Sequence, residues 1–251
     1  MSETITPLIV GNWKMNGLGE QLSEITALSK ELSKLEKQKC KTIICPPATL
    51  IRPACSKAGD NIMIGGQNCH AEISGAHTGD ISAQMLKDAG AKYVIVGHSE
   101  RRTDCFETDS QVKAKSKAAI AANIIPIICV GENEEQRKSG NAIDIVLSQI
   151  NGSIPDDLKG NEIVVAYEPV WAIGTGLVPS ISDIDEMHLA IRQALVKKLG
   201  ENGDKTPILY GGSMKSSNSA QILEIAHVNG GLVGGASLKA SDFFGIIATI
   251  K

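Results

Sequence analysis

The sequence predicts an α/β protein, a single (β/α)8 barrel domain that spans residues 1–251. Two observations support this prediction. Eight short, largely apolar runs recur along the chain, as expected of parallel strands that are covered on both faces; they lie at residues 7–10, 42–45, 62–64, 93–96, 125–129, 163–166, 207–210 and 231–233. Eight runs in 251 residues give about 31 residues per unit, close to the length of one strand with its crossover helix.

The segments between these runs show the spacing of amphipathic helices. At residues 18–35 apolar side chains recur every three or four positions, which forms one stripe along a helix. Residues 184–199 repeat the pattern after Ser182, which together with Asp185 predicts a capping box at the start of that helix. Alanine-rich, charged stretches predict further helices at residues 78–89, 107–122, 134–150, 217–226 and 236–250.

A doubly wound open sheet is the alternative arrangement for alternating strands and helices. Sheets of that kind that bind dinucleotides carry G-x-G-x-x-G after an early strand, and this chain does not. The chain also shows no linker or change of composition that would divide it. In the barrel that we predict, functional groups belong on the loops that follow the strands.

Composition excludes several classes of partner. A formal charge of −3 and an aromatic content of 3% argue against nucleic acid, which calls for a basic surface and stacking rings. No apolar run approaches the ~20 residues that span a bilayer, and residues 1–6 lack the pattern of a signal peptide. We therefore expect a cytoplasmic protein without a nucleic-acid or membrane partner.

The cysteines do not form a recognisable framework. They are Cys40, Cys45, Cys55, Cys69, Cys105 and Cys129, with no C-x-x-C pair among them. In a long chain without an export signal we expect reduced thiols, several of them buried. Their spacing to the histidines does not match a zinc site, so no metal is expected.

The stretch around Glu168 carries the strongest functional signal. Glu168 follows the sixth apolar run, and Pro169 disfavours a helical conformation for it, so the carboxylate is expected at the extended end of a strand. The loop after it combines Trp171 and Ile173 with glycines that permit close backbone approach to an anion. This combination indicates a base beside a hinged lid over residues 169–176.

Two further polar motifs follow the first and fourth runs. Lys14 has apolar neighbours on both sides, which offer the ammonium a partly dry place, although a lone lysine is usually a surface group. His98 stands at the end of the fourth strand, across the barrel from Glu168. That position favours an acid–base or electrophilic role over a structural one. The Glu-Arg-Arg sequence at residues 100–102 is typical of an ion-pair cluster.

Three glycine-bearing loops follow the last three strands. They contain Gly174 with Gly176, Gly211 with Gly212 and Ser213, and Gly234 with Gly235. Each alone could be an ordinary turn, but in the last units of a barrel they match a phosphate site built from backbone N–H groups. Because the chain has no P-loop lysine motif, the phosphate is expected on a small substrate rather than on a nucleotide.

A long loop at residues 67–79 carries Cys69, His70, Glu72 and His77 without clear periodicity. Unstructured loops of this length are uncommon in compact domains unless they have a function. Metal binding is one interpretation, but the spacing is not a known ligand pattern. A contact between subunits is the better interpretation.

Six motifs of the chain occur together in one known family. They are Gly11-Asn12-Trp13-Lys14-Met15-Asn16, residues 93–102, Cys129-Val130-Gly131-Glu132, residues 166–176, Tyr210-Gly211-Gly212-Ser213 and residues 232–238. In this order they closely resemble the triosephosphate isomerase family, over a match that begins at Pro7. The resemblance implies an isomerase of glycolysis and gluconeogenesis that interconverts dihydroxyacetone phosphate and D-glyceraldehyde 3-phosphate through an enediolate, without a metal or cofactor.

The resemblance also implies a role for each site residue. Glu168 matches the base, His98 the neutral imidazole that polarises the carbonyl, and Lys14 the cation that favours the enediolate; this family is itself the standard example of such tuned groups. The remaining matches are Asn12 for substrate positioning, Glu100 as the partner near the lysine, Gly174, Ser213, Gly234 and Gly235 for the phosphate, and Tyr210 with Ser213 as latches of the lid.

The loop at residues 67–79 resembles the loop through which members of this family form homodimers, with Thr78 reaching the neighbouring active site. Two departures from the family pattern stand out. Leu177-Val178-Pro179 replaces the usual second hinge of the lid, and Pro179 restricts one torsion there, which bears on lid kinetics. Phe106 stands where a glycine is common.

Two alternative functions fit a phosphate-binding barrel. One is another sugar-phosphate enzyme, such as an epimerase or an indole-glycerol-phosphate synthase, and Lys14 together with His98 argues against it. The other is a non-catalytic scaffold, which would be favoured if Glu168, His98 or Lys14 were missing, and all three are present.

Overall fold

The computed structural model describes residues 5–158, 160–172 and 179–250. Within these ranges eight parallel strands close into a barrel in chain order. The strands are β1 at Leu8–Asn12, β2 at Lys41–Cys45, β3 at Met63–Gly66, β4 at Tyr93–Val96, β5 at Ile125–Val130, β6 at Val164–Tyr167, β7 at Ile208–Tyr210 and β8 at Gly230–Val233. β1 pairs with both β2 and β8, which confirms the barrel and excludes the open sheet.

The strands are apolar on both faces because each face packs against a different layer. Neighbouring side chains such as Ile9 and Val10 alternate between the two layers. The inward layer fills the barrel with Leu8, Val10, Ile43, Cys45, Tyr93, Ile95, Ile127, Cys129, Val164, Ala166, Leu209 and Leu232. The outward layer packs against the helices. The inward packing is consistent with a filled core rather than a pore, as expected for a barrel of eight strands.

The helices lie on the outside of the barrel and follow the strands. Their bounds are α1 at Leu22–Leu32, α2 at Ile51–Ala58, α3 at Ala83–Asp88, α4 at Ser99–Asp104, α5 at Asp109–Ala121, α6 at Glu134–Lys138, α7 at Ala142–Ser153, α8 at Ile181–Leu199, α9 at Glu201–Lys205, α10 at Ser219–Leu223 and α11 at Ala240–Ile247. Short 3-10 turns lie at Gly19–Gln21, Ala48–Leu50, Val170–Ala172 and Gly235–Ser237.

The predicted start of α8 is wrong by two residues. The capping residue is Ser180, whose hydroxyl accepts a hydrogen bond from the N–H of Asp183. The Asp183 carboxylate in turn accepts the N–H of Ser180, which completes the capping box two positions before the predicted one. Ser180 has extended backbone angles and follows Pro179, so the helix begins directly after it.

Three other helix predictions also needed correction. The helix predicted at residues 78–89 is only α3, because it begins after its capping residue Ser82. The segment at residues 134–150 divides into α6 and α7 because Gly140 has a φ of 78°, in the left-handed region that ends a helix. The helix predicted at 217–226 is only α10, and α2 was not predicted because eight residues interrupted by Pro53 give too short a stripe.

Phe106 is exposed and has a φ of 54°. A side chain in this left-handed conformation costs about 1–2 kcal/mol, whereas glycine enters it without that cost. The left-handed backbone explains why glycine is common at this position in the family that the sequence resembles. Phe106 therefore holds a strained backbone position on the surface.

The cysteines are unpaired, and four of them are buried, as the sequence predicts. None of the helices in the described ranges combines the length and the hydropathy needed to cross a membrane.

Candidate active site

The residues predicted to carry the chemistry converge at the carboxyl ends of the strands. Asn12 ends β1, His98 comes two residues after β4, and Glu168 directly follows β6. They line a cavity of about 310 Å³ together with Lys14, Gly211, Gly212, Ser213, Met214, Lys215, Leu232, Gly234, Gly235 and Ala236. Because parallel strands end at the same rim of a barrel, residues far apart in sequence meet in this cavity.

Glu168 is 2% exposed, and its carboxylate is held by contacts from the first residue of α4 and from the N-cap residue before it. Oε2 accepts the backbone N–H of Ser99 at 3.0 Å, and Oε1 accepts the Ser99 hydroxyl at 3.2 Å. Oε1 also lies 2.9 Å from Nε2 of His98. The Glu168 backbone N–H donates to the carbonyl of Val130 at 2.8 Å, so the residue remains tied to β5 beyond the end of its own strand.

The close approach of β5 and Glu168 requires a glycine at position 131. A Cβ built on Gly131 would overlap the backbone carbonyl of Glu168. Any larger residue would push the Glu168 backbone away from the rim. Gly131 therefore helps to fix where the carboxylate stands.

His98 caps the N-terminus of α4, and its neighbours assign its tautomer. Its Nδ1 accepts the backbone N–H of Glu100 at 3.3 Å, while the nearest Glu100 carboxylate oxygen is 3.6 Å away, too far for a hydrogen bond. Nδ1 is therefore the unprotonated nitrogen of the neutral ring. The proton lies on Nε2, which faces Glu168 and the cavity.

His98 and Glu168 shift each other's pKa in opposite directions. Burial lowers the pKa of His98, but the facing carboxylate of Glu168 outweighs burial and raises it above its ordinary value. Burial raises the pKa of Glu168, but His98 and the N–H of Ser99 outweigh burial and lower it. The contact between the two groups thus favours the charged form of each.

Lys14 reaches the cavity from a strained backbone. Its φ of 53° lies in the left-handed region, at a cost of about 1–3 kcal/mol that surrounding bonds must offset. The backbone N–H of Lys14 donates to Oδ1 of Asn12, and its carbonyl accepts from Nε2 of Gln67. Nζ forms an ion pair with Glu100 at 2.6 Å, which agrees with the partner expected for the lysine.

Two of the three predicted phosphate loops line the cavity. Ser213, Gly234 and Gly235 all line it, as predicted, and Lys215 adds a cation that the sequence reasoning did not single out. Gly174 and the second half of the predicted lid, residues 173–176, lie outside the described residues, as do Leu177 and Val178 of its second hinge.

The first turn of the predicted lid is attached to a buried carboxylate, Glu132. Its Oε1 accepts Nε1–H of Trp171 at 2.9 Å and the hydroxyl of Tyr167 at 3.1 Å. The hydroxyl of Tyr210, a predicted latch, is buried and has no hydrogen-bond partner among the described residues. Unpaired buried hydroxyls are costly, so the Tyr210 hydroxyl has a hydrogen bond to gain from a further partner.

Known proteins resemble this chain over nearly its full length. A model of the family described as "Triosephosphate isomerase" matches residues 7–250. The chain belongs to the triosephosphate isomerase family. It is an isomerase that interconverts dihydroxyacetone phosphate and D-glyceraldehyde 3-phosphate, the glycolytic reaction of this family.

Several members of the triosephosphate isomerase family match this chain over nearly its full length. A triosephosphate isomerase of Afipia carboxidovorans is 55% identical over 98% of this chain and 98% of its own. One from Brucella abortus is 49% identical over 100% and 99% of the two chains. The crystal structure of the enzyme from Bartonella henselae has a TM-score of 0.90 and 47% identity, covering 98% of this chain and 99% of that one.

Sequence reasoning missed three residues that hold the groups of this triosephosphate isomerase site. Ser99 binds Glu168, Gln67 binds the Lys14 carbonyl, and Glu132 binds Trp171. A signal existed for Glu132, because a carboxylate two residues after a buried strand is as unusual as Glu168. Nothing in the sequence marks Ser99 or Gln67, whose importance depends on contacts between distant strands.

A second cavity, of about 350 Å³, lies at the opposite end of the barrel. It is lined by the amino-terminal ends of several strands, including Leu8, Lys41 and Tyr93. None of the predicted site residues lines it. Active sites of such barrels lie at the carboxyl ends of the strands, so we assign the chemistry to the other cavity.

Proposed function

We propose that Glu168, His98 and Lys14 carry out the interconversion of the two triose phosphates in the cavity at the carboxyl ends of the strands. The observation that supports this most directly is the 2.9 Å contact between Nε2 of His98 and Oε1 of Glu168. It puts a carboxylate and an N–H donor side by side at the rim of one cavity. A base and a donor at this spacing can act on the carbon and the oxygen of one carbonyl compound.

Glu168 is the base in this proposal. It removes a proton from the carbon next to the carbonyl, which leaves an enediolate, and returns a proton to the former carbonyl carbon. A proton also passes from one oxygen to the other, so that the carbonyl group changes place. To reach the substrate its carboxylate exchanges the hydrogen bonds from Ser99 and His98 for the substrate C–H. Both His98 and Glu168 already line the cavity that receives the substrate.

His98 is the electrophile, and the movement of Glu168 prepares it. The carboxylate is the group that raises the pKa of His98. When the carboxylate turns to the substrate, burial remains and favours the neutral ring more strongly than the Glu100 carboxylate opposes it. Nε2–H is then free to donate to the substrate oxygen, where the negative charge of the enediolate collects.

Lys14 and the glycine loops hold the rest of the substrate. The Lys14 ammonium stabilises the enediolate charge, and Asn12 positions the substrate from the end of β1. Ser213, Gly234 and Gly235, with Gly174 of the lid, bind the phosphate through backbone N–H groups. Tyr210 and Ser213 latch the lid, which excludes water from an enediolate that would otherwise lose phosphate.

We also propose a homodimer joined through the loop at residues 67–79. Thr78 lies on the exposed part of this loop. A concave region of about 530 Å³ beside the active site is lined by Lys14, Met15, Gln67 and Glu100, and Met15 is 96% exposed. The concave region fits the same loop of a second copy, which would cover Met15 and bring Thr78 to the partner's Lys14.

Four further proposals concern the domain, the cofactor, the cellular compartment and nucleic acid. We propose that residues 1–251 form one domain that works without a cofactor. Unpaired thiols, four of them buried, are typical of the cytoplasm, where we place the protein. The formal charge of −3 supports a surface without affinity for nucleic acid.

An activity assay of the native chain and of Glu168→Gln tests the assignment of the base. The amide keeps the shape of the side chain but cannot accept the substrate proton, so kcat is expected to fall by about 10²–10⁴-fold. Glu201→Gln, an exposed change on α9, is the matched control and should keep full activity. Full activity of Glu168→Gln would reject the assigned base, and an inactive native chain would reject the function.

A further inference from the structure

The loop at residues 67–79 and the residue after it bring together two imidazoles and a carboxylate that the isomerase reaction does not use. The rings of His70 and His77 lie 4.0 Å apart, centroid to centroid. One ligand atom each from His70, His77 and Asp80 lie within 4.8 Å of one another. We propose that these three residues bind a Zn²⁺ ion.

The backbone brings the three residues together. The N–H of His70 donates to the carbonyl of Ile81 at 2.8 Å, which joins the two ends of the loop. The N–H of Asp80 donates to the carbonyl of His77 at 3.1 Å. Residues ten positions apart in sequence therefore meet through main-chain hydrogen bonds, which orders the ligand set before an ion arrives.

Gly75 provides the space that the His77 ring occupies. Its φ is 149°, and a Cβ at this position would lie 3.2 Å from Cδ2 of His77. A side chain at position 75 would therefore press on the ring. The tight turn of the loop and the placement of His77 both depend on this glycine.

The donor set suits zinc better than the hard cations. Imidazole nitrogens are good ligands for Zn²⁺, whereas Mg²⁺ and Ca²⁺ prefer oxygen ligands throughout. Two histidines and one carboxylate leave the fourth tetrahedral position to water. Zinc–nitrogen bonds of about 2.0–2.1 Å need the ligand atoms closer together than they lie now. In the single chain the side chains of His77 and Asp80 are exposed and can close that gap by rotation before the loop enters a partner.

One existing hydrogen bond must break before the ion can bind. Nδ1 of His70 accepts the N–H of Glu72 at 3.0 Å. An ion at Nδ1 displaces this bond directly, and an ion at Nε2 displaces it because the ring proton must move to Nδ1. The Glu72 N–H is in an exposed part of the loop, so water can take the place of His70.

The ion would fasten the loop and take no part in the proton transfer. It ties His70 at the beginning of the loop to His77 and Asp80 at its end, which restricts the loop that we propose to enter the partner subunit. Zinc is therefore expected to raise the melting temperature of the full-length protein, because the ion binds the folded loop and not the unfolded chain.

Calorimetric titration of the metal-free, full-length protein with Zn²⁺ tests the proposal. We expect one ion per chain, no binding of Mg²⁺ at the same concentration, and at least a tenfold loss of Zn²⁺ affinity in His77→Gln. His227→Asn is the matched control, since it removes a histidine outside the loop and asparagine tolerates the left-handed φ of 65° at that position. Cys105→Ser controls for the exposed thiol.

The outcomes separate the loop site from other zinc ligands. Absence of Zn²⁺ binding, equal affinity in His77→Gln, or loss of binding in Cys105→Ser would each overturn the proposal. Asp80→Asn provides a second variant if His77→Gln does not fold. Co²⁺ bound in place of Zn²⁺ should show no thiolate charge-transfer band, because the proposed ligands contain no sulfur.

Discussion

Nε2 of His98 and Oε1 of Glu168 are 2.9 Å apart, and each group sets the ionisation of the other. The contact lowers the pKa of Glu168 against the effect of burial. A base that is ionised below its ordinary pKa remains ready to accept a proton over a wide range of pH.

Replacing His98 by glutamine should move the acid limb of the kcat/KM profile to higher pH. Burial raises the pKa of Glu168 and the imidazole lowers it, so the pKa rises when the imidazole is removed. The profile of kcat/KM reports the ionisation of the free enzyme, so the assay is run on the variant and the native chain across the acid range. A limb at the same pH in both would show that His98 does not control the carboxylate, whatever the loss of kcat.

The pH dependence of stability should contain a contribution from His188. This residue is buried on α8, its Nδ1 is 3.2 Å from the carbonyl of His227, and its Nε2 has no partner among the described residues. Burial lowers its pKa from 6.5 to about 4. The unfolded chain therefore binds a proton that the folded chain does not, between those two values.

The sign of the His188 effect follows from that difference. Stability is full above the unfolded pKa, falls as the pH decreases towards 4, and loses about 3 kcal/mol in total. Urea unfolding of the native chain and of His188→Gln at several pH values and one protein concentration measures it. The slope should be smaller in the variant, and parallel curves would assign the acid sensitivity to other groups.

Gly131→Ala should damage activity through the backbone of Glu168. The new methyl group overlaps the Glu168 carbonyl, so the strand end has to move. Overpacking of this kind costs about 1–3 kcal/mol of stability, and a shift of the base by about 1 Å lowers the rate about 10²-fold. Gly19→Ala is the matched control, because no atom lies within 4 Å of its new Cβ. Equal kcat in the two variants would contradict the positioning role.

Thr78→Arg tests the proposed dimer. A large cation at the exposed part of the loop should prevent its entry into the concave region that contains Lys14, so association and activity are expected to fall together. Gln221→Arg makes the same change of charge on the exposed face of α10 and should leave both unchanged. Sedimentation velocity measures the association; a dimer of native stability in Thr78→Arg would exclude the loop as the interface.

The strands were predictable because a strand that is buried on both faces has a continuous apolar sequence. β4 was predicted to the residue, and the other strands to within one or two at each end. The start of α8 was not, because Ser180 and Ser182 both have an acidic residue three positions later. Only the backbone angles after Pro179 decide between these two capping boxes.

The sequence predicted several residues that line the candidate site, but neither its geometry nor the residues that hold them in place. Glu168, His98 and Lys14 could be selected because each interrupts an apolar pattern at a strand end. The tautomer of His98 depends on the N–H of Glu100, and the lowered pKa of Glu168 depends on His98 and on the N–H of Ser99. These properties depend on distances between side chains and backbone in the folded protein, which the order of residues in the sequence does not give.

The pairing of β1 with β8 also has a consequence for synthesis on the ribosome. The first strand to emerge has one of its two neighbours at the far end of the chain, so it waits with an unpaired edge until β8 has been made. During that time the nascent sheet is open and can pair with other chains. Rapid translation of the second half, or a chaperone that shields β1, would therefore improve the yield of native protein.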